Sequence, residues 1–190
     1  FDFYYKLLIA FLPAAIVGFI AGDYIDRLLE SPAVVAFSLV AGGIILLFVD
    51  RWFNKVDENQ SITFFRALKI GLFQIIAMIP GVSRSAATII GGMADKLNRK
   101  NAAEFSFFLA VPTMFAASAY KLYKGYNTLT SGNIDVLLLG NVVAFIVALI
   151  AIRSFIVFLT KNGFRIFGWY RIIVGIVIII LLLSQNRGLS

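Results

Sequence analysis

The stretch IGLFQIIAMIPGVSRSAATIIGGMA, residues 70–94, decides how this chain folds. It is apolar almost throughout, yet Pro80-Gly81 interrupts it and the charged Arg84 follows. Proline followed by glycine is a turn signal, so the pattern predicts two short helices. The uncharged runs on either side of Arg84 hold 14 and 10 residues, whereas crossing the hydrocarbon layer of a membrane takes roughly 20 helical residues. We therefore predict a helical hairpin over residues 63–97 that enters a membrane and turns back.

Five further apolar runs are long enough to cross a membrane once their aromatic and long basic flanks are counted. They cover residues 7–22, 31–49, 105–120, 136–152 and 166–183, the last interrupted only by Arg171. Of the 190 residues, 61% are hydrophobic and only 14% are charged, which excludes an ordinary soluble domain. The predicted fold class is an all-α polytopic membrane protein, with five transmembrane helices plus one re-entrant helical hairpin in a single domain over residues 1–190.

The residue types that are absent restrict the chemistry. The chain has no Cys and no His, so it can supply no thiolate nucleophile, imidazole base or zinc site of the usual nitrogen and sulfur type. Nucleic acid is not a predicted partner, because the basic residues behind the net charge of +7 lie between apolar runs. The sequence begins with Phe1 and shows no signal peptide, so we expect it to start inside a longer protein.

The distribution of basic residues favours the hairpin over a single crossing. A hairpin leaves the loops around residues 50–69 and 95–104 on the same side of the membrane. Twelve basic residues then share that side: Lys6, Arg51, Lys55, Arg66, Lys69, Lys96, Arg99, Lys100, Arg153, Lys161, Arg165 and Arg171. The other side holds four, which are Arg27, Lys121, Lys124 and Arg187. Because loops rich in Lys and Arg stay in the cytoplasm, the twelve-residue side is predicted to be cytoplasmic.

The turn PGVSRSAAT, residues 80–88, predicts an anion site. Ser83 or Ser85 can cap the second helix, whose first N–H groups and positive dipole end then point at the hairpin tip. Arg84 adds a planar fork of donors that suits a phosphate group. Non-helical backbone at membrane depth must be buried in protein or line a wet cavity. The turn is therefore the predicted site.

Structural alternatives accompany each of these residues. Arg84 could pair with a carboxylate or with backbone carbonyls and hold the hairpin closed, although residues 70–94 contain no acid. A charge buried in a membrane is costly, which favours a functional role for Arg84. The hydroxyls of Ser83, Ser85 and Thr88 cap helices at least as often as they bind ligands, so both roles stay open for them.

Three further polar residues read as structural. Gln74 is expected to bond across helices, with orientation of a neighbour as its alternative. Glu104 suits the start of the next helix, with a catalytic role as its less favoured alternative. Asp95 lies near several basic residues in a loop and is expected to be a solvated charge.

The nine residues Pro80–Thr88 resemble a signature motif of the undecaprenyl-pyrophosphate phosphatases, the bacitracin-resistance family of bacterial membrane enzymes. The resemblance covers nearly the whole chain, although the motif is its specific part. Its other positions are Gly71–Gln74, Gly91-Gly92, Ala102–Pro112, Tyr120–Lys124, Thr130–Gly132 and Tyr170-Arg171.

The resemblance implies an inverted repeat with two re-entrant hairpins and removal of the terminal phosphate of undecaprenyl pyrophosphate, which recycles a lipid carrier for peptidoglycan synthesis. It implies that Gly81, Ser83, Arg84, Ser85 and Thr88 bind pyrophosphate, with Arg84 and Ser83 also catalytic. The family's first motif, with glutamates, a serine and a histidine, is not among these residues. The general base or nucleophile and the ligands of a divalent cation, Mg or Ca, are therefore expected upstream, and no metal ligand is predicted in this chain.

Three functions compete on the sequence. A lipid pyrophosphatase needs carboxylates and an activated nucleophile opposite Arg84. A secondary transporter or flippase for an anionic lipid needs neither, although it too places broken helices around a central site. A scaffold without a ligand leaves Arg84 unexplained. We expect the first, in the bacterial cytoplasmic (inner) membrane, with a polyprenyl pyrophosphate substrate and membrane lipids as partners. The oligomeric state is open, and a homodimer is compatible with the sequence.

Overall fold

The computed structural model describes residues 1–124 and 131–187, and within these ranges it contains helices and no strand. Thr130, one of the family-like positions, lies outside the described residues. The helices in chain order are α1 (Asp2–Ile20), α2 (Gly22–Leu29), α3 (Pro32–Trp52), α4 (Phe64–Ile76), α5 (Arg84–Ala94), α6 (Arg99–Lys124), α7 (Ser131–Asn162) and α8 (Arg165–Arg187).

Five helices, namely α1, α3, α6, α7 and α8, are long and apolar enough to cross a membrane. They match the five predicted apolar runs, so the all-α fold class with five spanning helices is confirmed. The short α2 was not predicted, because its eight residues carry two acids and one arginine and contain no apolar run. Most of α7 is exposed, including every residue from 135 to 151. Side chains this apolar are stable at a surface when that surface faces lipid.

Two short helices occupy the place predicted for the hairpin. The hydroxyl of Thr63 accepts a hydrogen bond from the Arg66 N–H at 3.2 Å and caps α4, and Ser83 caps α5 in the same way. The helices pack against each other, and Arg66 Nε lies 3.0 Å from Asp95 Oδ2 at their open end. The chain thus turns back and returns to the end from which α4 starts.

The loops predicted to share the cytoplasmic side meet at this open end. The Asp57 N–H donates to the Lys96 carbonyl at 2.9 Å, and the Asn98 N–H donates to Gln60 Oε1 at 2.8 Å. Asp50, at the end of α3, accepts hydrogen bonds from Arg99 Nε at 2.9 Å and from the Phe164 N–H at 2.7 Å. The loop after α3, the loop after α5 and the turn between α7 and α8 therefore form one polar layer.

The expectation for Asp95 is wrong. Its carboxylate does not stand free among the basic residues of its loop but pairs with Arg66 and Lys69, both on α4. The Asp95 side chain is only 16% exposed, because it caps the seam between the two hairpin helices. Its role is to hold the open end together.

Small residues allow the helices to approach closely. A Cβ on Gly43 would lie 2.8 Å from the Gly168 carbonyl oxygen, so α3 and α8 touch backbone to backbone. A Cβ on Gly91 would lie 2.8 Å from the Phe73 side chain, and one on Gly92 would lie 2.8 Å from Ala102 Cβ. Because lipid is as apolar as the side chains, such close packing is what associates helices in a membrane.

Candidate anion site at the hairpin tip

The tip of the hairpin is a break in helical structure that only its own residues permit. Pro80 lacks an N–H and cannot continue α4. Gly81 has φ of +88°, a conformation that other residues rarely adopt, and a Cβ there would lie 2.6 Å from the Val35 carbonyl oxygen. The tip is therefore pressed against α3, and α5 starts afresh at Arg84.

The start of α5 leaves backbone donors free. Ser83 Oγ accepts a hydrogen bond from the Ala86 N–H at 3.2 Å, and the Ser83 carbonyl accepts one from the Ala87 N–H at 2.9 Å. Among the described residues, no acceptor is found for the N–H groups of Arg84 and Ser85. These two donors lie at the positive end of the helix dipole, which is the arrangement that binds anions.

Arg84 lies beside these donors and points toward α6. Its Nη1 donates to the Ser106 carbonyl at 3.3 Å, and within the described ranges no carboxylate pairs with it. The side chain is partly buried. One long hydrogen bond leaves four of its five N–H donors unused, so the backbone contact does not prevent Arg84 from binding an anion.

Of the predicted site residues, Thr88 and the side chain of Arg84 are directed toward α6, away from the cavity that Ser83 and Ser85 line. Ser83 and Ser85 lie side by side, with 3.1 Å between their hydroxyl oxygens, and line a cavity. Thr88 is fully buried, and its hydroxyl lies 2.6 Å from that of Ser106 and donates to the Arg84 carbonyl at 2.9 Å. The geometry gives Thr88 a role in joining α5 to α6 behind Arg84.

Arg171 is the residue that the sequence interpretation misplaced. It was counted among the cytoplasmic loop charges, but its Nη2 donates to the Gly81 carbonyl at 2.7 Å, at the hairpin tip. Its long side chain reaches the tip across the glycine-lined contact between α3 and α8, where the absent side chain of Gly42 leaves room for the guanidinium. The signal in the sequence was that Arg171 is the one charge interrupting the last apolar run.

The other polar candidates lie away from the tip. Gln74 is buried on α4, and its Nε2 lies 3.5 Å from Thr113 Oγ1 on α6, a bond across helices as expected. Glu104 is 44% exposed, and its carboxylate lies 4.0 Å from the Lys100 ammonium. Among the described residues, no hydrogen bond joins either side chain to the start of α5.

The part of the chain that the structure describes contains no group of three or more acidic side chains that could hold a metal ion. The hairpin tip itself has N–H groups and guanidinium groups, which bind anions and repel cations, and among the described residues no carboxylate lies beside its hydroxyls. These residues do not fit a divalent cation, and no step below is assigned to one.

Five apolar helices, together with a helical hairpin whose tip has free N–H groups and two arginines, define a polytopic membrane protein with a candidate anion site. The family model described as "Bacitracin resistance protein BacA" matches residues 1–177. The chain belongs to this family.

Curated relatives are similar in sequence to this chain over nearly its whole length. A protein of Flavobacterium johnsoniae named undecaprenyl-diphosphatase is 59% identical in an alignment of length 186 that covers 95% of this chain and 70% of that protein. A protein of the same name from Porphyromonas gingivalis is 57% identical, over 97% of this chain and 67% of its own length. A protein of that name from Acinetobacter baumannii is 46% identical, over 95% of this chain and 67% of its own length.

Proposed function

We propose that this protein hydrolyses undecaprenyl diphosphate to undecaprenyl phosphate and inorganic phosphate. The observation that carries the proposal is the hairpin tip, where the N–H groups of Arg84 and Ser85 are free at the start of α5 and the Arg84 side chain has no carboxylate partner among the described residues. Relatives at 46–59% identity are named undecaprenyl-diphosphatase. Their name supports the hydrolase and does not favour the transporter alternative. The protein acts in the bacterial cytoplasmic membrane and recycles a lipid carrier for peptidoglycan synthesis.

The tip supplies electrostatic stabilisation. In hydrolysis, the oxygen of water bonds to the terminal phosphorus while the bond between that phosphorus and the bridging oxygen breaks. The negative charge on the terminal oxygens is redistributed as this happens. Arg84, the two free N–H groups and the hydroxyls of Ser83 and Ser85 face that charge with donors already in place. Because these donors are set by the fold, they need little reorganisation as the reaction proceeds.

The residues that activate water are not evident at the tip. Residues 70–94, which form the apolar part of the hairpin and its tip, contain neither an acid nor a histidine, so the general base or nucleophile is proposed to come from residues that adjoin this sequence in the cell. The same holds for the ligands of the proposed divalent cation, Mg or Ca. We use "intact protein" for this chain together with any such residues.

The hairpin is proposed to lie in the membrane with its open end in the cytoplasm. The loops before α4 and after α5 are joined by the bond from the Asn98 N–H to Gln60 Oε1, so they must lie on one side. Single cysteines at Asn59 and Asn98 should both react with an impermeant thiol reagent from the cytoplasmic face only. Labelling of the two positions from opposite faces of the membrane would contradict the proposed hairpin topology.

The activity is tested by reconstituting the intact protein in vesicles with undecaprenyl diphosphate and measuring both released phosphate and the side on which the lipid appears. A hydrolase releases one phosphate per lipid consumed. A carrier moves intact undecaprenyl diphosphate between leaflets without releasing phosphate, and that result would contradict the proposal.

A further inference from the structure

A cavity of about 310 Å³ borders the hairpin tip, between α3, α5, α7 and α8. Its polar part is formed by Ser83, Ser85 and Arg171. The remaining wall is apolar and mostly aromatic, with Phe155, Phe164 and Phe167. A cation and two hydroxyls thus share one half-open cavity with an apolar wall, which suits an amphipathic ligand with an anionic head.

Arg171 has spare donors in this cavity. A guanidinium carries five N–H donors, and only one hydrogen bond, from Nη2 to the Gly81 carbonyl at 2.7 Å, is found for Arg171 among the described residues. No carboxylate in the described ranges pairs with it. A partly buried arginine in an apolar helix is costly unless its charge is compensated. An anionic ligand in the cavity supplies that compensation.

The contact with Gly81 also prepares the neighbouring helix start. The Gly81 carbonyl would accept the Ser85 N–H if α5 began one turn earlier, as in any continuous helix. Gly81 has φ of +88° and is not helical, so its carbonyl accepts from Arg171 and the Ser85 N–H finds no acceptor among the described residues. Arg171 and the free backbone donor therefore belong to one binding surface.

The two arginines approach the tip from different directions. Arg84 extends toward α6, where it contacts the Ser106 carbonyl, and is not part of the cavity wall. Arg171 comes from α8 and lines the cavity together with the phenylalanines. A prenyl diphosphate has two phosphate groups, and only the inner one is attached to an apolar chain. The aromatic wall therefore assigns the inner phosphate to the side on which Arg171 lies.

We propose that Arg171 binds the inner phosphate of the prenyl diphosphate, the one retained in the product, and that the first isoprene units lie against Phe155, Phe164 and Phe167. This proposal rests on the proposed function. In the reaction, the electron pair of the broken bond goes to the bridging oxygen of the departing prenyl phosphate. Arg171 stabilises that oxygen and afterwards holds the prenyl monophosphate product.

The test compares two product inhibitors of the intact protein, farnesyl monophosphate and inorganic phosphate. Arg171→Lys keeps the positive charge and can donate either to Gly81 or to the ligand, but it cannot reproduce the fork that does both. The inhibition constant of farnesyl monophosphate should rise about tenfold or more, as expected for lost hydrogen bonds to a charged group. Inhibition by inorganic phosphate should change less than about twofold. Arg165→Lys, on an exposed arginine of the same helix, is the matched control.

A second variant tests the aromatic wall. Phe167→Ala removes chain contacts but no donor, so it should weaken inhibition by farnesyl monophosphate and leave inhibition by methyl phosphate unchanged. Equal losses for both inhibitors would contradict the placement of the prenyl chain.

The outcomes separate the inference from the function on which it rests. Unchanged inhibition in Arg171→Lys, with or without a lower Tm, would make Arg171 a structural link to Gly81 and overturn the proposal. If the wild-type protein releases no phosphate from undecaprenyl diphosphate, the proposed function fails. Direct binding of farnesyl monophosphate to wild-type and Arg171→Lys protein still decides whether Arg171 holds a prenyl phosphate.

Discussion

The two ends of the hairpin use arginine in opposite ways. At the open end, Arg66 makes four hydrogen bonds, to the carboxylates of Asp57 and Asp95 and to the carbonyls of Asn59 and Ser61. At the tip, Arg84 and Arg171 each make one, to a backbone carbonyl. At the open end the charge and the donors of the arginine are paired with protein groups, whereas at the tip most donors of the two arginines are unused.

The difference indicates which arginines serve structure and which serve a ligand. An arginine with paired charge and nearly all its donors used has little left to offer another molecule. An arginine that is partly buried in an apolar environment without a carboxylate retains both its charge and its donors. On this comparison, substitutions at the open end should change stability, and substitutions at the tip should change activity.

The largest effect is expected at Arg84. Both Arg84→Ala and Arg84→Lys should lower kcat by roughly 10²-fold or more, because the lysine keeps the charge but loses the fork that grips phosphate oxygens as charge develops. Phosphate release and Tm in detergent should be measured on the same preparations, and Tm should change little. Near-normal turnover by Arg84→Ala would break the comparison, since the arginine would then serve only its contact with α6.

Arg66→Ala should show the opposite pattern. It leaves the carboxylate of Asp95 in the helix seam with Lys69 as its remaining partner, so the variant should lose about 2–3 kcal/mol of stability, or roughly 5–10 °C in Tm. Activity per folded molecule should stay within about twofold. Lys69→Ala, on a more exposed side chain, is the control and should cost less than about 1 kcal/mol. A folded Arg66→Ala protein without activity would contradict the division.

Ser85→Ala and Thr88→Ala sharpen the comparison within the tip. Ser85 lines the cavity, so Ser85→Ala should lower kcat by less than about tenfold, because the backbone N–H groups still bind phosphate. Thr88 is enclosed between α5 and α6, so Thr88→Ala should cost about 1 kcal/mol of stability and affect kcat less than Arg84→Ala does. Thermal melts and initial rates on both variants decide the order. A loss of affinity for phosphate in Thr88→Ala without a change in Tm would show that Thr88 binds the ligand and does not only join α5 to α6.

The smallest effect is expected at Gly42. A Cβ there would lie 3.1 Å from Arg171 Nη1, so Gly42→Ala should displace the guanidinium by a few tenths of an ångström. The KM for prenyl diphosphate should rise about twofold to threefold. Gly140→Ala, where a Cβ meets nothing within 4 Å, makes the same chemical change on α7 and should leave KM unchanged. Equal KM values for the two variants would contradict the prediction that a side chain at position 42 displaces Arg171.

Particular residues show how far the sequence could be read. The turn at Pro80-Gly81 and the serine caps were predictable, because they depend on neighbouring residues along the chain. The partners of Asp95 were not, since Arg66 and Lys69 lie on the preceding helix and nearer basic residues offered a simpler interpretation. Thr88 was grouped with Ser83 and Ser85 by proximity in sequence, yet the helix turns its side chain toward Ser106.

The sequence by itself determined the membrane class, the number of spanning helices, the break at Pro80-Gly81 and an arginine at the start of α5. These follow from apolar run length, turn chemistry and capping, which are local properties. Only the tertiary structure decided that Arg171 reaches the same tip and that the backbone N–H of Ser85 stays free. That contact joins residues 90 positions apart, and it exists because glycines let α3 and α8 pack closely enough for the side chain to reach Gly81.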